Sequence, residues 1–245
     1  MNITKNLPVI LFALVSASCQ KETNDDPVAP SSKVKTYTED VTAGGQHTVS
    51  TFNVAYDAND RIVSLISASS PGDKFLYQYS NGSYTMDIYN SNAISIHEEF
   101  YINSNSFVDS TFQYNDTDDS STEKYIYNSA RQLVTIKEYE YTKGHGILLY
   151  NTSQYTYDSG GNILKVADNF STTTYEYYPD LVNPLTFLSP YLPVNKNLIK
   201  TEYADYGGSD ITISHTYTFD ANNRLSTQTI TTDSGETAIK TYTYY

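Results

Sequence analysis

The chain has 245 residues, with 25 Tyr, 9 Phe, no Trp, a single Cys and a formal net charge of −13. This acidic balance excludes a nucleic-acid grip, which needs clustered Lys and Arg, and argues against protein-mediated binding to anionic lipid. One cysteine excludes an internal disulfide, so the fold must rely on packing alone.

Residues 1–18 read as a signal peptide. Lys5 supplies the charge, and Leu7 to Val15 is an apolar run too short for the ~20 residues that span a bilayer. Small residues (Val15-Ser16-Ala17-Ser18) then lead to Cys19. This resembles a bacterial lipobox, which implies that Cys19 is lipidated and becomes the mature N-terminus. Residues 19–33 are polar and contain Pro and Ser, which suits a flexible tether. Lys21-Glu22 and Asp25-Asp26 resemble the acidic signal that sends some lipoproteins to the cell surface. A plain signal peptide with ordinary linker charge is the plainer reading of the same residues.

From residue 34 to 245 the chain reads as one all-β domain. Candidate strands fall at 34–40, 46–56, 61–68, 73–80, 83–90, 94–102, 106–114, 122–128, 132–143, 148–157, 162–168, 172–178, 197–206, 210–219, 224–232 and 236–244. Tyr, Thr, Ile and Val dominate them, and these residues suit a pleated, half-buried surface. Short connections make successive strands antiparallel neighbours, which predicts one long meander. Twist accumulates along such a sheet, so it should curl into a partly or fully closed, barrel-like roll with a tyrosine-rich interior.

The repeating unit is clearest from Gln154 to Leu164. Tyr155 and Tyr157 share one strand face, Asp158 to Asn162 reverses the chain, and Ile163 opens the return strand. In four good copies an apolar residue follows the aromatic by six: Tyr56/Ile62, Tyr127/Leu133, Tyr157/Ile163 and Phe219/Leu225. That offset predicts a fixed hairpin register. Turn-preceding positions at 56, 79, 102, 127, 157, 178 and 219 give a period in the twenties, the mark of an array.

The unit resembles the tyrosine-aspartate repeat of the Rhs family, through Asp158 to Leu164 and the Arg61, Arg131 and Arg224 copies, although most turns lack its glycine. Over residues 34–245 the chain resembles a family of Gram-negative lipoproteins whose domain of unknown function is described as porin-like. Tyr177 to Pro184 fits that family. The resemblance implies a barrel fold, an outer-membrane address and no catalytic residues.

Residues 180–196, with Pro184, Pro190 and Pro193, interrupt the array. Proline excludes central strands, and the apolar content predicts a loop with a short helical turn that plugs one end of the roll. A ligand-contacting lid is the alternative.

No motif carries chemistry. The four histidines, His47, His97, His145 and His215, form no His-Glu-x-x-His, so a zinc site is unsupported. No Gly-x-Ser-x-Gly elbow or phosphate loop exists. Asp116 and Asp118 resemble half of a calcium loop but lack its glycine and closing Glu, and read first as a solvated hairpin tip. A membrane-spanning barrel is disfavoured because Lys124, Glu138 and Glu140 are expected on the face opposite the tyrosines, where lipid would lie. The expectation is a non-enzymatic binding or scaffold module without cofactor, lipid-anchored at the outer membrane and facing the cell surface. A glycan binder, an accessory subunit of an outer-membrane uptake complex and, less favoured, a hydrolase are the alternatives.

Overall fold

Each short turn returns a strand beside its predecessor, and repetition of this step builds the fold. The computed structural model describes residues 33–114, 120–142, 146–184, 191–192 and 195–245. Sixteen strands run in chain order: β1 (Val34–Ala43), β2 (Gln46–Tyr56), β3 (Ile62–Ser67), β4 (Lys74–Ser80), β5 (Ser83–Asn90), β6 (Ala93–Ile102), β7 (Val108–Tyr114), β8 (Ser120–Tyr127), β9 (Leu133–Thr142), β10 (Gly146–Tyr157), β11 (Ile163–Ala167), β12 (Thr172–Val182), β13 (Asn197–Asp205), β14 (Asp210–Phe219), β15 (Leu225–Thr232) and β16 (Thr237–Tyr244). Every strand pairs antiparallel with its chain neighbours, and β1 pairs with β16, so the meander closes into a barrel.

The predicted six-residue offset is the register itself. Tyr56 pairs with Ile62, Tyr127 with Leu133, Tyr157 with Ile163 and Phe219 with Leu225. Ile102 and Val108 form a fifth such pair. In each of these five turns the first residue, Asp or Asn, accepts the backbone N–H four positions on; Asp57 takes that of Arg61 at 3.0 Å and Asp220 that of Arg224 at 2.9 Å. The fourth residue of each turn has positive φ: Asp60, Ser106, Arg131, Gly161 and Asn223. Asn and Asp tolerate that region, and glycine suits it best. Arg131 therefore stands at the glycine position of its turn and is not the counterpart of Arg61 and Arg224. Those two arginines instead close their turns on Asp57 and Asp220 and lie over the next hairpin's Tyr79 and Tyr244 rings, at 4.1 and 4.5 Å.

A second device ties neighbouring hairpins together. In four hairpins the last inward tyrosine donates its hydroxyl to the carbonyl just after the preceding turn. Tyr127 donates to Val108, Tyr157 to Leu133, Tyr177 to Ile163 and Tyr244 to Leu225, at 2.6 to 2.7 Å. Tyr177, not the expected Tyr178, holds this position on β12; the Tyr178 hydroxyl goes to the His215 carbonyl. The aromatic repeat thus supplies hydrogen bonds as well as apolar area.

These turns lie at one end of the barrel, called here the near end. The first and last described residues lie there too, with the Tyr245 N–H donating to the Lys33 carbonyl at 3.2 Å. The insertion enters the same mouth. Tyr191 and Leu192 pack against the core, Tyr191 lies 5.9 Å from the Tyr84 ring, and its carbonyl accepts the Val108 N–H. Asn195 accepts the Ile163 N–H at 2.9 Å. The described residues of the insertion thus bridge β7 and β11. The helical turn was expected on positions that include 185–190 and 193–194, outside the described residues; no helix occurs among the described residues.

Candidate functional site

Cross-strand partners in a barrel share a face, so the register defines the lumen. On the even-numbered strands the first inward positions from the near end are Tyr56, Tyr79, Ile102, Tyr127, Tyr157, Tyr177, Phe219 and Tyr244. The second are Val54, Tyr77, Phe100, Tyr125, Tyr155, Tyr175, Tyr217 and Tyr242. The third row changes character: Phe52, Phe75, Glu98, Glu123, Ser153, Thr173, His215 and Lys240. Two aromatic rows thus give way to a polar one over β6 to β16. The aromatic rows contain close ring pairs, including Tyr84 and Phe100 stacked at 4.2 Å.

The polar row holds three sets of groups. On β14, His215 is buried; Gln228 donates to its Nδ1 at 3.1 Å, which leaves Nε2–H for Glu202 at 2.7 Å. On β16, buried Lys240 lies 3.5 Å from Glu39. The third set is acidic. Glu123 and Glu138 are direct cross-strand partners, with the Tyr125 hydroxyl donating to Glu123 and the Asn151 amide to Glu138 at 3.2 Å. Glu98 stands two strands away from Glu123. Burial first, and then the Glu123 charge, push the Glu98 carboxyl up to about 7. Burial and Glu123 raise Glu138 as well, against the lowering effect of Asn151.

The register places Glu138 and Glu140 inside, which corrects the sequence expectation. A β-bulge follows the Tyr127–Leu133 pair, so that Ile126 faces Thr135. The extra residue flips the phase of β9. Tyr139 and Tyr141 consequently turn outward. Lys124 does face outward as expected, opposite Lys137.

The outer wall is mostly hydroxyl and charge. Thr36 bonds Thr243, Thr38 bonds Thr51 and Thr218 bonds Thr227. Asp40 pairs with His47 at 2.7 Å, Asp87 with His97, and Glu176 with Lys200 at 3.8 Å. An aromatic patch interrupts it on β6 and β7. The Tyr101 hydroxyl donates to Glu99, Phe112 and Tyr114 lie edge-on at 4.5 Å, and His97 lies 5.9 Å from Tyr114. The Asp87 carboxylate, first, and then Glu99 hold the His97 imidazole above its ordinary value.

Cys19, His145, Asp116 and Asp118 lie outside the described residues. Among the described residues no three His, Cys, Asp or Glu side chains are grouped to hold a metal ion. His47, His97 and His215 sit on strands β2, β6 and β14. The lumenal carboxylates Glu98 and Glu123 escaped the sequence reading, which had put Glu138 on the outer face. Their signal was an apolar and aromatic alternation (Ile102 and Phe100 on β6, Tyr127 and Tyr125 on β8) that continues into Glu at the third inward position.

The arrangement defines a class: a closed, up-and-down, sixteen-stranded barrel with an interior that is aromatic at one end and polar beyond. Solved structures share its fold, and two are porin-like proteins. One is a porin-like protein from Bacteroides uniformis, with a TM-score of 0.65 and 12% identity over 88% of this chain and 99% of that one. The other is a porin-like protein from Bacteroides vulgatus, with a TM-score of 0.60 and 13% identity over 86% and 98%. No family model matches the chain, and no curated protein matches it. The likeness shows the fold, and the porin-like shape implied by the sequence resemblance is borne out.

Proposed function

We propose that the protein is a lipid-anchored, non-catalytic barrel that stands on the outer membrane as a binding or scaffold module. The observation that carries this reading is the outer wall. Lys124, Lys137, Asp40 and Asp87 lie within strands and face outward, where lipid would make charge costly. Porin-like in shape, the barrel does not use that wall to span. The tether of residues 19–33 joins the barrel at its near end, so the anchor holds that mouth toward the membrane and presents the far end. Replacing Cys19 by Ser is expected to move the protein from the membrane pellet to the soluble fraction. Retention in the carbonate-washed pellet would refute the anchor.

The outer aromatic patch favours saccharide as a ligand. Tyr101, Phe112 and Tyr114 offer ring faces beside Glu99 and His97, a mixture of apolar area and fixed polar groups. On this reading Tyr114→Ala weakens retention on immobilised soluble polysaccharides about tenfold, roughly the worth of one lost ring contact. Equal retention of both forms would remove the patch from consideration.

A further inference from the structure

The far end carries an open strand edge. β10 has 12 residues and β11 has 5. β11 pairs with Gln154 to Tyr157 alone, so among the described residues no strand covers that side of β10 from Gly146 to Ser153. The β11–β12 loop covers a little more: Asn169 bonds the Tyr150 carbonyl and the Asn151 side chain. Among the described residues nothing covers the edge from Ile147 to Leu149. The same stretch is the most exposed apolar run of the barrel, with Ile147 at 71%, Leu148 at 60% and Leu149 at 54% exposure. Tyr150 and Phe170, in ring contact at 5.6 Å, extend it. Folded proteins blunt such edges with Lys, Pro or a bulge. Residues 146–149 contain no Lys or Pro, and the bulge at Tyr150 marks the inner limit of the open stretch.

We propose that this edge docks an extended segment of a partner protein, which adds to β10 as a further strand. Alternate unpaired N–H and C=O groups of Ile147 to Leu149 supply the main-chain bonds, and the exposed Ile and Leu side chains take alternate apolar residues of the incoming strand. The charge around the edge selects its chemistry. Glu140 is the direct cross-strand partner of Leu148, and after burial and Glu123 the Asp168 charge also helps to raise the nearby Glu138 carboxyl. A second copy would bring the same carboxylates, on a chain of net charge −13, against these. A segment with apolar alternation and flanking Lys or Arg fits instead. This deepens the reading of the barrel as a binding module that presents its far end.

The test is solution binding of the peptide Lys-Val-Thr-Val-Thr-Val-Lys, fluorescently labelled, to the purified full chain. Three changes should each weaken binding at least about tenfold: a central Pro in the peptide, Glu in place of its Lys flanks, and the double substitution I147D/L149D in the protein. The substituted side chains are exposed, so an unchanged melting temperature certifies the fold. No binding of the Lys-flanked peptide, or equal binding of the Pro version, overturns strand addition. Sedimentation showing a dimer that I147D/L149D dissociates assigns the edge to a second copy and also overturns it. The measurement is made in solution, so it stands or falls separately from membrane anchoring.

Discussion

Glu98→Gln stabilises the barrel at pH 8 and leaves it unchanged at pH 4. The sign follows from the raised carboxyl. Unfolded, the group titrates near 4.5; folded, near 7. Between these values the folded state holds a proton that the unfolded state has lost, so stability falls as pH rises through the window. The full span corresponds to about 3 kcal/mol at most, present above pH 7 and absent below the unfolded value. His97 adds a loss in the same direction, because its raised imidazole contributes stability that disappears as pH rises through the folded value. The difference between wild type and the Gln variant cancels that background. Urea midpoints at pH 4, 6 and 8 measure it. Equal midpoints at pH 8 would mean that Glu98 is solvated in the lumen and free to ionise.

Leu225→Ala is expected to cost about 3 kcal/mol, a large share of the stability of an ordinary domain. Leu225 is 0% exposed and follows the Asp220 turn, paired with Phe219. Its carbonyl accepts the Tyr244 hydroxyl at 2.7 Å. The substitution keeps that backbone bond and removes only the packed side chain, so the loss reports the cavity. Ile239→Ala, on the outer wall, should change stability by less than about 0.5 kcal/mol. Denaturant unfolding with an unchanged slope checks both variants. Equal effects at the two positions would show that the near-end core does not hold the barrel together.

The hairpin register was legible because the Tyr-turn-apolar offset is covalent spacing, and four turn sequences repeat it. Strand count and connectivity followed from short loops. The bulge after Leu133 was not legible, since one additional residue leaves no mark in composition. That single residue decided which face Glu138 occupies. The tyrosine hydroxyl bonds were equally hidden, because they link positions 14 to 24 residues apart in separate hairpins. The open edge of β10 had a faint signal in the unequal lengths of the segments before and after the Asp158 turn. Its neighbours in space, Asn169 and Phe170, gave none.

The contact between the Tyr245 N–H and the Lys33 carbonyl has a kinetic meaning. Every other pairing in the barrel joins consecutive strands and can form as soon as its hairpin exists. The β1–β16 seam joins Thr36 to a residue 207 positions later. A chain made N-terminus first therefore holds the β1 edge open until its final strand arrives. The entropy of that ring closure grows only logarithmically with length, so the seam delays assembly more than it weakens the product. Joining residues 33 and 245 and cutting at the Gly44–Gly45 turn would turn the longest-range contact into a local one. Such a circular permutant keeps the same barrel but moves the late step to the β1–β2 hairpin. During assembly of the natural chain, the waiting β1 edge is where a second molecule's β16 can substitute for its own, and exchange of that strand is the misassembly this topology invites.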